Sequence, residues 1–600
     1  MYKIIRLLLI ATMLMVAYSA VVAVYLFPWF GLPLALAMLF SLGRKGRSYY
    51  AHGTARWADA ADIPHMLGGG DGLILGHIES KPDKIDGVRA LFSRWMPDRQ
   101  AVKRYLESCQ RKATRHLVRL NTSVHTCVFA PTGVGKGVSC VIPHLLTNTD
   151  SCVVVDFKGE LAKITADARR KMGHRVVLLD PFRRVTQEPD VFNPFDFFEA
   201  DSELAIDDCR DLAESLVVRS GTEKEPHWND VAETWLTAMS ALLVSLKPKV
   251  DANLSELKRL VSDTSLIQQA IATMIASDAW DGVLSRLGHT LTHSKDKELS
   301  STLTSTNRHL RFVDSPVIAA STASSSFDPS ELITGKMTIY LILPPDRARS
   351  QTGLLRLWVS SMFRAVIRGG LQETHKVNFI LDEAASLGRM EAVDDAIDKY
   401  RGYGIRMFLY YQSLGQLKKC FPDDDGQTLL SNTTQVFFGV NDQQTAEYVS
   451  NRLGEQTIVV ESGGTSSGRS RSNDDKSGTT NTSSSWNRSD NWQQHARKLL
   501  KPEEVTALSQ RVAITLSPDA PPLWSQLIRY YEWDSKESRG LGLVKVAVDT
   551  ASLFLCASLL AAGITAAVIL GFPEDNHVEA NQRVHRASEG GRESQPRANL

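Results

Sequence analysis

The residues best suited to chemistry are Ala130-Pro131-Thr132-Gly133-Val134-Gly135-Lys136-Gly137. Gly133 and Gly135 let the backbone curl so that consecutive N–H groups can point at one anion. Lys136 adds a point charge for the β- and γ-phosphates of ATP, and the N-terminus of a following helix adds its dipole. The octet departs from the phosphate-loop pattern G-x-x-x-x-G-K-[ST] at two positions. Ala130 replaces the first glycine, and Gly137 replaces the hydroxyl residue that normally reaches Mg²⁺. Ser139 is two residues off and takes no such role here. All eight residues are read as nucleotide contacts, and the Mg²⁺ ligand is sought elsewhere.

Asn378-Phe379-Ile380-Leu381-Asp382-Glu383 supplies it, as an apolar strand ending in adjacent carboxylates. Asp382 is placed to hold Mg²⁺, and Glu383 to polarise an attacking water as general base. Asp156 also ends an apolar strand but lacks a neighbouring acid, so hydrolysis is assigned to Asp382 and Glu383. Gln412 follows the apolar run 406–411, where a glutamine at a strand tip can orient water or sense the γ-phosphate. Arg401 lies between Glu383 and Gln412, placed to reach the nucleotide of an adjacent subunit. Arg389 and Arg406 are its rivals.

These residues need strands to hold them. Residues 124–129, 152–156 and 176–179 are short apolar runs separated by helical segments, the mark of a parallel α/β sheet. A helix is expected from Lys136 through Pro143 to Leu146. Strand signals then stop, and apolar residues recur at helical spacing. They return at 337–343, 377–381, 406–411 and 435–440. The expectation is an α/β P-loop NTPase domain (121–203 and 321–535) with an all-helical insertion (204–320), preceded at 48–120 by a juxtamembrane linker or the start of the nucleotide-binding domain. Residues 462–490 are almost wholly Ser, Gly, Thr, Asn, Arg and Asp, and cannot bury a core. They are expected to form a disordered loop, as is the tail 573–600.

From Leu7 to Leu42 there are 36 positions without a charge. The segment Pro28-Trp29-Phe30-Gly31 interrupts this run, so 1–47 reads as a transmembrane helical hairpin with both basic ends in the cytoplasm. A third uncharged stretch, Ala551–Phe572, has 22 residues and is long enough to span. The net charge of +1 excludes a globally basic nucleic-acid binder. Arg94–Arg119 is a local exception, with eight Lys/Arg against Asp98 and Glu107. The seven cysteines form no CxxC pair and read as reduced, buried thiols.

The ordered set of motifs resembles the type IV secretion coupling proteins of the TraG/TraD family. The phosphate loop carries the resemblance, together with Val155-Asp156-Phe157-Lys158-Gly159-Glu160 and Phe192-Asn193-Pro194-Phe195. Leu381-Asp382-Glu383-Ala384, Leu387-Gly388-Arg389-Met390, Arg401-Gly402-Tyr403-Gly404 and Gln412-Ser413-Leu414 continue it in order. The resemblance covers about residues 1–530. It implies a RecA-like motor, a homohexamer, at the base of a secretion channel in the bacterial inner membrane. It also implies recruitment of a relaxase with single-stranded DNA, or of secreted protein effectors, and contact with other type IV secretion components. Two other readings compete. A membrane-anchored DNA translocase of the FtsK/SpoIIIE type would carry a long linker after its spans and lack the helical insertion. A non-catalytic receptor would not need Lys136, Asp382, Glu383 and Gln412 intact.

Overall fold

Val153-Val154-Val155 and Phe379-Ile380-Leu381 are apolar at every position, which suits strands covered on both faces. The computed structural model bears this out. It describes residues 2–26 and 52–532, except 68, 81–83, 94–95, 110–113, 122–124, 220–224, 248–249, 294–295, 423–424 and 474–479. The strands are β1 (Leu73–Ser80), β2 (Thr114–Leu120), β3 (Thr126–Phe129), β4 (Ser151–Asp156), β5 (Arg175–Leu179), β6 (Met337–Ile342), β7 (Val377–Leu381), β8 (Ile405–Tyr411), β9 (Thr434–Phe438), β10 (Glu455–Asn473), β11 (Thr480–Lys498), β12 (Val512–Leu516) and β13 (Leu523–Gln526).

Eleven strands form one mixed sheet in the order β2-β1-β13-β12-β9-β3-β8-β7-β4-β6-β5. From β9 to β5 neighbouring strands run parallel, and from β2 to β9 they run antiparallel. Strand alternation divides the core. Phe129, Val153, Val155, Phe379, Leu381 and Tyr411 pack on one face, where the helix Thr352–Arg368 and the helical region cover them. Val128, Val154, Ile380 and Tyr410 pack on the other, against residues of the helices Ile142–Thr147 and Glu160–Lys171.

Between β5 and β6 the described residues from Ala205 to Thr334 hold helices and no strand. His227–Ser245 is its central helix, with Trp235, Leu236, Met239 and Leu243 buried. Arg169 sits wholly buried in Glu160–Lys171. It donates to Thr338 Oγ1 (2.9 Å), to the carbonyls of Leu145, Asn148 and Asp150, and to Cys152 Sγ (3.4 Å). This cation ties the loop before β4 to the helix behind the sheet.

Two expectations need correction. The stretch 462–490 is not a disordered loop over its described residues: β10 and β11 pair antiparallel from Glu455↔Lys498 to Asn473↔Thr480. A ribbon satisfies its main chain through the ladder and needs no core, so the composition does not forbid it. The second correction concerns the membrane. No helix among the described residues is long and apolar enough to cross one. The helix Tyr2–Leu26 is present, but its first turns dock on the helices Lys84–Phe92 and Asp98–Cys109. Arg6 donates there to Asp98 Oδ1 (2.6 Å) and to the Leu91, Ser93 and Met96 carbonyls. The transmembrane hairpin, the multi-pass inner-membrane location and the membrane as a partner are withdrawn on that finding. The second arm of the hairpin, the stretch 551–572 and the tail 573–600 lie outside the described residues.

Candidate nucleotide site

Three adjacent parallel strands, β3, β8 and β7, bring their C-terminal ends to one edge of the sheet. Such edges are where open α/β sheets bind ligands. Register fixes the alignment: Phe129 pairs with Tyr411 on one side and with Phe437 on the other. Their buried rings stack, Phe129 on Phe437 at 5.0 Å and on Tyr411 at 6.0 Å. The next residue, Ala130, continues the pairing, its N–H donating to the Tyr411 carbonyl at 3.0 Å. An aromatic floor therefore holds the start of the loop level with Gln412.

The loop then takes the shape its glycines permit. Gly133 has φ +87° and Gly135 has φ +99°, a region closed to most other residues. Thr132 and Gly133 are exposed, whereas Val134 is buried. Lys136 already has helical dihedrals, and Ser139 N–H bonds the Gly135 carbonyl at 2.9 Å. The expected helix is present but opens with a π turn, Gly137–Val141, before Ile142–Thr147. A Cβ built on Gly137 would meet only Leu161 Cδ2, at 3.9 Å, so the missing hydroxyl residue is not excluded by space.

Asp382 follows β7. Its Oδ1 is buried and has no hydrogen-bond partner among the described residues. Burial pushes its carboxyl up to about 6; Lys136 opposes the rise, while Asp156 and Glu383 add to it. A buried carboxylate oxygen without a donor, within the field of the phosphate-loop lysine, fits a divalent cation. Mg²⁺ commonly takes one or two protein carboxylates and completes its shell with water and phosphate oxygens.

Glu383 is held by two glutamines. Gln412 Nε2 donates to its Oε2 and Oε1 at 3.1 and 3.3 Å, and Gln416 Nε2 donates to Oε1 at 2.5 Å. Gln416 Oε1 in turn accepts from the Gln412 N–H at 2.7 Å. The reading of the sequence missed Gln416. A signal was there: Ser413 caps the helix Leu414–Cys420 and places Gln416 at its third residue, where a glutamine can reach back.

Asp156 has a different task. Its carboxylate accepts from the N–H groups of Lys158 (3.2 Å), Gly159 (2.8 Å) and Ala162 (2.9 Å), capping the helix Glu160–Lys171. Arg401 is not at this site within the chain. It lies exposed before β8, at the far end from Gln412, roughly 20 Å away for a strand of this length. Of its rivals, Arg389 pairs with Asp425 (2.9 Å) and Arg406 lies 3.8 Å from Asp150. In the basic stretch 94–119, Arg115 pairs with Glu79 (3.1 Å) and Arg119 is buried beside Thr147. Cys127, Cys140, Cys152, Cys209 and Cys420 are buried free thiols.

Comparison with known proteins agrees with this geometry. Residues 93–552 match the family described as Type IV secretory system Conjugative DNA transfer. The protein VirD4 of Rhizobium radiobacter is 27% identical over 490 residues, covering 81% of this chain and 64% of that protein. The conjugal transfer protein TraG of Escherichia coli is 28% identical over 434 residues, covering 69% of this chain and 66% of that protein. This chain thus spans just under two thirds of the length of these relatives. The plasmid coupling protein TrwB in complex with the non-hydrolysable ATP analogue ADPNP shares the fold. Its TM-score is 0.50 at 19% identity, over 68% of this chain and 85% of that one. With a match over residues 93–552, the chain belongs to the type IV secretory system conjugative DNA transfer family.

Proposed function

We propose that this chain is the coupling ATPase of a type IV secretion system. In this reading it recruits a relaxase with single-stranded DNA, or a protein effector, to other components of the channel and drives transfer by ATP hydrolysis. One observation carries the reading. Lys136, Gln412 and the pair Asp382/Glu383 stand at the C-terminal ends of three neighbouring parallel strands.

The residues divide the work. The backbone of 130–137 cradles the phosphates, and Lys136 neutralises the terminal ones. Asp382 would hold Mg²⁺, which on binding supplies Lewis-acid stabilisation of the charge that develops on the phosphate oxygens. Glu383 takes the proton of the attacking water. Gln412 and Gln416 keep its carboxylate aimed, since a base must sit within hydrogen-bond reach of the proton it removes. Arg401 acts on the nucleotide of a neighbouring copy in a homohexamer, because its own chain holds it far from its own loop.

The test pairs two measurements on Lys136→Ala and Glu383→Gln: ATP hydrolysis by the purified chain, and DNA transfer between cells. Both variants are expected to lose hydrolysis and transfer together. Hydrolysis lost with transfer intact would overturn the coupling role. Hydrolysis intact in both would overturn the site.

A further inference from the structure

The phosphate loop has a second flank. β13 runs antiparallel to β12, and β12 runs antiparallel to β9, so β13 is parallel to β3 and ends at the same edge of the sheet. Register sets the level: Trp524 pairs with Ile514, Ile514 with Phe437, and Phe437 with Phe129. The chain leaves β13 after Gln526. Leu527 N–H donates to the Arg511 carbonyl at 2.7 Å, and the turn Tyr530–Glu532 packs against Gly137–Val141. This segment comes from strands on the β9 side of the loop, whereas Gln412, Asp382 and Glu383 stand on the β8 and β7 side.

Arg529 lies beside the loop. A Cβ built on Gly135 would stand 4.0 Å from its Nε. That Nε is buried and has no hydrogen-bond partner among the described residues. At the other end of the guanidinium, Nη1 donates to the Tyr531 hydroxyl at 2.8 Å. The Glu532 carboxylate pairs with Arg511 instead, at 2.6 and 2.7 Å. The Tyr531 side chain is 57% exposed and meets Tyr530 edge to face at 5.3 Å. Tyr530 packs against the core and anchors the turn.

A nucleotide has two chemically different ends. Its terminal phosphate must meet Glu383 and Asp382, on one side of the loop. Its ribose and base must then leave toward the other side. The groups there suit that end. A buried N–H without an acceptor matches a sugar oxygen, since buried donors are nearly always paired. An exposed phenol ring beside a guanidinium offers a flat surface to a heterocycle.

We propose that Arg529 and Tyr531 hold the nucleoside end of ATP, with Arg529 Nε–H donating to the ribose and the Tyr531 ring lying against the base. The proposal rests on the reading of 130–137 as an ATP site and adds the ribose and base to it.

The experiment titrates the full chain with ADP and with inorganic tripolyphosphate, each with Mg²⁺, by calorimetry. Tripolyphosphate offers phosphates without a nucleoside. Arg529→Ala and Tyr531→Ala should each weaken ADP binding roughly tenfold. Both should bind tripolyphosphate as the parent does, which shows that the loop is intact. Tyr531→Phe keeps the ring and should bind ADP within about threefold of the parent. In steady-state hydrolysis the loss in the alanine variants should fall on KM for ATP. Tyr531→Ala, at an exposed position, guards against a variant that does not fold.

Parent-like ADP binding in both alanine variants would overturn the proposal and leave the phosphate site standing. Equal loss of ADP and tripolyphosphate in Tyr531→Ala would also overturn it, because the segment would then support the loop and not the nucleoside. A parent that binds neither compound would overturn the ATP site itself, and this proposal with it.

Discussion

Gln416 is bonded both to Glu383 and to the residue that flanks it. Its Nε2 donates to Glu383 Oε1 at 2.5 Å, and its Oε1 accepts from the Gln412 N–H at 2.7 Å. A single side chain thus fixes the distance between the β7 carboxylate and the tip of β8. Both glutamines donate to the carboxylate and so orient it.

This arrangement predicts different outcomes for Glu383 and Gln416. In the proposed mechanism Glu383→Gln removes the proton acceptor and should lower kcat by about 10³-fold or more. Gln416→Ala leaves the acceptor but frees it, and should lower kcat roughly 10- to 100-fold with little change in KM for ATP. Steady-state hydrolysis measures both. A raised KM with unchanged kcat in Gln416→Ala would show that the residue shapes nucleotide binding instead.

Gly137 tests where the proposed Mg²⁺ is held. A Cβ there meets only Leu161 Cδ2 at 3.9 Å, an ordinary contact. Gly137→Ala should leave stability within about 0.5 kcal/mol of the parent and hydrolysis unchanged. Gly137→Ser restores a hydroxyl, and should lower the Mg²⁺ concentration for half-maximal hydrolysis by roughly threefold. A Mg²⁺ titration at fixed ATP gives the answer. Lost nucleotide binding in Gly137→Ala would mean that the loop needs glycine at that point.

Much of this site was legible in the sequence, for a definable reason. β3, β4, β7 and β8 are buried on both faces, so their apolar runs are unbroken and the polar residues that end them stand out. The antiparallel strands β12 and β13 escaped notice because they are short, and β13 alternates between buried and exposed residues. Strands β1 and β2 lie in a stretch read only as a linker or the start of the nucleotide-binding domain, where His77, His116 and the arginines interrupt the apolar pattern. Gln416 escaped because its role depends on a helical turn bringing it back to a strand end. The ribbon was misread because composition reports on core burial and not on main-chain pairing. The first helix was misread because hydropathy does not show that Arg6 is bonded to Asp98 and three carbonyls of the body.

Arg169 carries a stability prediction. It is wholly buried and donates mainly to carbonyls and a hydroxyl, without a carboxylate partner among the described residues. Arg169→Met keeps much of the volume but leaves those acceptors without a donor, at a cost of about 3–5 kcal/mol. The melting temperature should fall by about 3–5 °C for a chain of this size. ATP binding should persist in the folded fraction, since the residue lies behind the sheet. An unchanged melting curve would show that water replaces the guanidinium.

Asp394 should make stability depend on pH. Burial pushes its carboxyl up to about 7; Asp425, Asp398 and Asp395 add to the rise and Arg389 opposes it. The folded chain therefore holds this proton more tightly than the unfolded chain from about pH 4 up to that value. The folded state binds more protons there, so this group's contribution to stability falls as pH rises through the window. Asp394→Asn removes the penalty and should stabilise the chain at pH 8 by on the order of 1 kcal/mol, after allowance for partial exposure. At pH 4 the variant and parent should melt together. Equal melting temperatures at both pH values would show that the carboxylate is not desolvated in the folded chain.

Arg401 permits a test of the proposed ring. It lies before β8 while Gln412 follows it, so one chain cannot bring Arg401 to its own phosphate loop without unpairing the central strand. If it serves a neighbour, two inactive variants should repair each other. Lys136→Ala keeps Arg401 but spoils its own loop, and Arg401→Ala keeps the loop but withholds the arginine. Each alone should hydrolyse ATP at a small fraction of the parent rate. Mixed in equal amounts before assembly, they place an intact loop beside an intact arginine at about a quarter of the interfaces. Hydrolysis should then recover toward about a quarter of the parent rate if interfaces act independently. A mixture no more active than its components would overturn a role in trans, and full activity of Arg401→Ala alone would remove Arg401 from the chemistry.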